Sequence, residues 1–79
     1  MTADAFAAWC DAAQPGESVV YHVGLLMLDR AEGRVPRGLA GLAMRCAENG
    51  VVSLAQRRLE SGRYQYIAQR RRPPQKRGG

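Results

Sequence analysis

No apolar stretch in this sequence approaches the roughly 18 uninterrupted residues that a bilayer crossing demands. Met1 is followed by Asp4 rather than by a basic segment and an apolar run, so a secretory leader is not expected either. Both absences lead to the expectation of a soluble, cytoplasmic chain. Cysteine is confined to Cys10 and Cys46, there is no CxxC pair, and His22 is the single histidine; a zinc site is therefore not expected. Both cysteines fall on apolar helical stripes. They could form one disulfide, but the expected state is a pair of reduced, buried thiols acting as small hydrophobes. Paired carboxylates, a nucleophile beside its base, and a phosphate-cradling GxGxxG or P-loop string are all missing, so no catalytic residue, cofactor or metal is expected. His22, without a second ligand or a nucleophile, reads as structural or surface-exposed. Aromatics are scarce at 6% of 79 residues. A chain of this size has a single core supporting only about 3 to 5 kcal/mol of net stability, and with so few rings it must be built from Ala- and Leu-rich helices.

What the chain does have is charge, unevenly placed. Its net charge is +5. Residues 1–33 hold one base, Arg30, against Asp4, Asp11, Glu17, Asp29 and Glu32, whereas residues 57–79 hold eight bases against Glu60 alone. A molecule polarised in this way concentrates polyanions at its basic end and speeds encounter with them, without saying what is recognised.

Periodicity supplies the elements. Phe6, Trp9, Cys10 and Ala13 recur at helical spacing, with Thr2 as N-cap, Asp4 at the positive end of the dipole and "QPGE" as the stop. Trp9 is the expected core anchor of this helix. "SVVYHVG" reads as a strand bounded by Gly16 and Gly24. Residues 25–32 are open to two readings, a continued strand or a short helix after Gly24; the absence of β-branched residues in "LLMLDRA" favours the helix. Asp29 and Arg30 there are expected to cap or pair locally. "EGRVPRG" is loop, and "LAGLAMRCAENG" is a helix that closes on Asn49 and Gly50. "VVSLAQRRL" and "RYQYIAQRR" then flank "ESG" as a hairpin. Tyr64 and Tyr66 share a face of its second strand and could form a stacking platform for single strands, although packing onto the helices is the preferred reading. The proline-interrupted basic tail, residues 71–79, has nothing to bury and is expected to be disordered.

The resulting α+β order, helix–strand–helix–helix–β-hairpin over residues 1–70, resembles the winged-helix (winged helix-turn-helix) domain. The likeness is carried by "LAMRCAENGVVSLAQRRLESGRYQYIAQR", in which a helix turns directly into a wing hairpin. "YHVGLLMLDR" is also similar to a passage in small proteins of tailed phages and prophages. The winged-helix resemblance implies nucleic-acid binding, with the third helix in the major groove and the hairpin on the backbone or minor groove. By position it implies helix contacts from Arg37 and Arg45 and wing contacts from Arg57, Arg58 and Arg63. Apart from the resemblance, the run of bases Arg70, Arg71, Arg72, Lys76 and Arg77 could be a flexible phosphate-gripping arm. Gly41 and Met44 sit between the two helix arginines and cannot read base edges. Affinity is therefore expected from phosphates, with low sequence specificity and steep salt dependence.

Two other readings use the same residues. Arg58 and Arg63 could do no more than solvate a hairpin edge, and the tail could simply solubilise. Alternatively, the basic surface meets an acidic surface of a host protein complex, as in a phage inhibitor of anti-CRISPR type; scaffold alone does not separate this from nucleic-acid binding. A homodimer through the first helix, Met44 and Ala55 would place two hairpins side by side.

Overall fold

The computed structural model describes residues 1–72, so the expected disorder of most of the tail, and the sites at Lys76 and Arg77, lie outside the described residues. The chain forms α1 (Ala3–Ala12), β1 (Ser18–Gly24), α2 (Leu26–Ala31), α3 (Leu39–Glu48), β2 (Val52–Arg58) and β3 (Tyr64–Arg70). All three strands form one antiparallel sheet in the order β1-β3-β2. The fold is thus α+β, three helices and a three-stranded sheet.

Local chemistry accounts for the boundaries. The Thr2 hydroxyl accepts the Ala5 N–H at 3.1 Å and opens α1. At the end of α3, Gly50 adopts φ +75° while its N–H donates to the Ala47 carbonyl, and Val51 N–H donates to Cys46 at 2.8 Å. These paired bonds close the helix and aim the chain straight into β2. The same closure ends α2: Gly33 has φ +73°, and Arg34 N–H donates to the Asp29 carbonyl at 2.8 Å. Residues 25–32 therefore leave the strand after Gly24, and the short-helix reading is the one adopted.

The core lies on one face of the sheet. Phe6, Leu39, Val52 and Ala68 are fully enclosed, with Cys10, Tyr21 and Ala43 beside them. Phe6 rather than Trp9 is the central aromatic: Trp9 is half-buried and leans on Phe6 at 5.9 Å, while Tyr21 meets Phe6 edge-on at 5.8 Å. Position 6 projects into the sheet, and position 9, almost one turn on, lands at the edge of the same stripe. α3 packs on β2 and α1 packs on α3, whereas α2 rests mainly against β1 and has no buried residue.

One irregularity reorganises β1. Val20 is opposite Ile67 and His22 is opposite Tyr66, so Tyr21 is the extra residue of a bulge. Beyond it the alternation reverses. Tyr21 and His22 both turn toward the helix side, and Val23 is left on the outer face, 43% exposed. That outer face also carries Val20, Ile67 and Ala55, and no helix of the described residues covers it.

Candidate nucleic-acid interface

Strand β3 acts as a ruler for the basic residues. At one end Arg58 pairs with Tyr64; at the other Val52 pairs with Arg70. Six strand steps at ~3.4 Å each separate these ends by about 20 Å. The described arginines of the final third therefore divide into two poles instead of merging into one patch beside the hairpin.

The hairpin pole holds Arg57, Arg58 and Arg63. Arg57 lies opposite Gln65 on the outer face of the sheet, and Arg58, on the other parity, lies at the strand end. Gly62 turns the chain with φ +80°, and Arg63 follows with its Nε donating to the Ser61 hydroxyl at 3.3 Å. All three side chains are exposed, and among the described residues no carboxylate lies within 4.0 Å of any of them. Arg34 reaches the same end of the molecule from the α2–α3 connection, where it shares a cleft with Arg63.

The opposite pole holds Arg70, Arg71 and Arg72, beside Pro15, Gly16 and Gln69. Arg70 is not a free cation. Its Nε donates to the Cys10 carbonyl at 3.0 Å and its Nη1 to the Val51 carbonyl, also at 3.0 Å. Cys10 belongs to the last turn of α1, where carbonyls lack intrahelical partners, and the N–H that could have served it, that of Gln14, donates instead to the Glu17 carboxylate at 3.0 Å. Arg70 thus ties the end of α1 to the start of β2, which corrects its assignment to a flexible arm. Arg71 donates its backbone N–H to Val51 at 3.0 Å, and its side chain and that of Arg72 are exposed.

Arg37 is exposed in the turn before α3, and Arg45 is exposed near the end of that helix. From Leu39, where the helix begins, Arg45 is six helical steps of ~1.5 Å away, about 9 Å, and Arg37 lies two residues before that start. Between them the exposed face shows Gly41 and Met44, so α3 offers two spaced cations and no base-reading amide. Met44 and Ala55, the apolar residues of the expected homodimer surface, lie apart: α3 packs on the inner face of the sheet, and Ala55 is on the outer.

The residues that sequence reasoning missed lie where β1 meets α2. His22 Nε2 is 2.7 Å from Asp29 Oδ2, with only 11% and 14% of the two side chains accessible. The same carboxylate oxygen accepts the Leu25 N–H at 3.2 Å, and the Tyr66 hydroxyl accepts the Leu26 N–H at 3.0 Å. Hydrogen bonding from His22 holds the Asp29 carboxyl below its usual range. Gly24 makes this approach possible: its φ is +140°, and a Cβ there would collide with Asp29 Oδ2. Asp29 and Arg30 are expected to cap or pair locally; Asp29 does accept the N–H of Leu25, the N-cap residue of α2, and it also reaches seven residues back to His22, a partner that the neighbours of His22 do not reveal.

Two other groups have altered acidity. Burial pushes the Cys10 thiol up to about 11, helped by the adjacent Cys46 thiol. Burial likewise raises the Tyr21 phenol. Both cysteines are free. Among the described residues no three His, Cys, Asp or Glu side chains gather as a metal site, and no helix is long and apolar enough to cross a membrane.

No family model, curated protein or solved structure matches this chain.

Proposed function

We propose that this protein is a winged-helix-like binder of nucleic acid that grips phosphates from its β2–β3 hairpin and selects little among sequences. The observation that carries the reading is the hairpin pole, where Arg57, Arg58 and Arg63 are exposed at the turn end of the hairpin without a carboxylate partner among the described residues. Strand order β1-β3-β2, with α3 running directly into β2, supports the winged-helix comparison because helix and hairpin then belong to one continuous unit. α2 departs from a helix-turn-helix pair, since it packs mainly on β1. α3 is therefore braced by α1 and not by α2, and it lacks base-reading side chains, which limits the interaction to phosphates.

The test is fluorescence anisotropy of random duplex and single-stranded oligonucleotides across a salt series. If the three hairpin arginines each neutralise one phosphate, log K against log salt for duplex has a slope of about −2.7, steepened by any contribution from Arg71, Arg72 and the tail. Replacing Arg57, Arg58 and Arg63 together with alanine should flatten the slope by about that amount. No binding at low salt, or a triple variant that binds like the parent, overturns the reading.

A second reading is favoured by one observation. β1 and α2 expose Val23, Leu25, Met27 and Leu28, with Met27 87% accessible. Four exposed apolar residues within six positions, three of which line a cleft with Arg34 and Arg63, suit an acidic protein surface, such as that of a host complex, better than a phosphate backbone. Capture of one stoichiometric complex that survives nuclease treatment and is lost in Met27→Glu would replace the first reading.

A further inference from the structure

Where β1 ends, α2 and the hairpin turn enclose an open cleft of about 410 Å³, within the roughly 300 to 1,000 Å³ that small-molecule sites occupy. Two segments distant in sequence build it: positions 22–25, 28, 29 and 34 around α2, and Arg63 at the hairpin turn. Each is held in place by a contact already described. Asp29 is clasped by His22, Arg34 is positioned by the closing bonds of α2, and Arg63 is steadied through Ser61.

The lining combines two kinds of chemistry. It includes two guanidinium groups, those of Arg34 and Arg63. Arg34 pairs with Glu32 at 2.9 Å, but both side chains are well exposed, at 69% and 41%, so this pair is weak and can yield to a stronger anion. Arg63 uses only its Nε internally, which leaves its terminal nitrogens available among the described residues. The one acid in the lining, Asp29, is already matched by the His22 ring and the Leu25 N–H, so it opposes an incoming anion less than a bare carboxylate would. It also includes Leu25 and Leu28, 42% and 50% exposed, apolar surface that the protein's own core does not use. Two planar cations beside an uncovered apolar wall complement a ligand with an anionic end and a flat, weakly polar body.

We propose that this cleft binds a nucleoside 5′-monophosphate, with the phosphate between Arg34 and Arg63 and the base against Leu25 and Leu28. The site shares Arg63 with the hairpin pole, whereas Arg57 and Arg58 lie outside the cleft lining. A nucleoside 5′-phosphate occurs free or at the end of a strand, and the two sources present the same chemistry.

The test is a ¹H–¹⁵N correlation titration of the full chain with AMP, adenosine, inorganic phosphate, and a dinucleotide with and without a 5′-phosphate. AMP is expected to move the amides of residues 24–29, Arg34 and Arg63 saturably, at least about tenfold more tightly than inorganic phosphate, with adenosine silent at the same concentrations. Tighter binding of the 5′-phosphorylated dinucleotide than of AMP assigns the site to a strand end, and the reverse assigns it to the free nucleotide. Arg34→Ala should weaken AMP binding about tenfold while leaving amides elsewhere unmoved, and Leu28→Ser should narrow the gap between AMP and phosphate. Equal affinity for AMP and phosphate, shifts spread over Arg57, Arg58 and Arg72 instead of the cleft, or an Arg34→Ala variant with parental affinity each overturns the proposal. Duplex binding that persists in Arg34→Ala while AMP binding is lost separates this site from the hairpin, so either proposal can fail alone.

Discussion

Replacing Arg70 distinguishes a structural clamp from a ligand contact. In the folded chain its guanidinium serves two backbone carbonyls at 3.0 Å, Cys10 in α1 and Val51 at the head of β2, and a third, Arg71, marginally at 3.4 Å. Charge-assisted bonds of this kind contribute about 1.5 to 3 kcal/mol each when half-buried, and the loss is greater where the abandoned carbonyl ends a helix. Arg70→Ala is therefore expected to cost about 3 kcal/mol, most of the ~3 to 5 kcal/mol available to a domain of this size. In thermal terms that is a fall of about 12 to 24 °C, at ~4 to 8 °C per kcal/mol. Arg70→Lys keeps the charge but cannot hold two acceptors in a planar fork, so about half the loss should remain. Urea denaturation followed by Trp9 fluorescence measures both variants, with Trp9 reporting on α1 because it packs on Phe6. Midpoints within ~0.5 kcal/mol of the parent would refute the clamp. A variant of parental stability that loses duplex binding would return Arg70 to the interface.

Two further outcomes follow from acidity. The Asp29 carboxyl is held low mainly by its hydrogen bond from His22; a depressed carboxyl stabilises the fold above its unfolded value near 3.9 and loses that contribution as pH falls through the lower folded value. The amides of Leu25 and Leu26 should consequently shift and lose exchange protection only below about pH 4, and Asp29→Asn should lack that acid step. The Cys10 thiol, pushed up to about 11, should be nearly inert to a disulfide reagent at about pH 8, so Cys46→Ser should react at least about tenfold more slowly than Cys10→Ser. Equal rates would contradict the burial of Cys10.

Much of the scaffold was legible in residue order. Thr2 before an i, i+3, i+4, i+7 stripe, "AENG" at the end of α3, and "ESG" between two β-rich runs each encode a local event, and all three events occur at those residues. Such signals act over four or five positions, the range that backbone hydrogen bonding and glycine conformational freedom govern. The site was less legible. Its arginines could be named, but whether they gather or separate depends on the register of β2 on β3, a matter of pairing between segments. Arg70 shows the same gap: neighbouring arginines look alike in the chain, and only one of them lies beside the orphaned carbonyl of α1.

The sequence by itself determined the order of the elements outside residues 25–32, the polarity of charge along the chain and the residue types at each end, because propensity, capping and composition are properties of short segments. Tertiary structure alone decided that a bulge at Tyr21 turns His22 toward Asp29, that Phe6 outranks Trp9 in the core, and that the described arginines of the final third form two poles about 20 Å apart. The physical reason is common to all three: a strand's side chains alternate between faces, so a single inserted residue or a few steps along β3 changes which groups meet, and no local sequence signal records that choice.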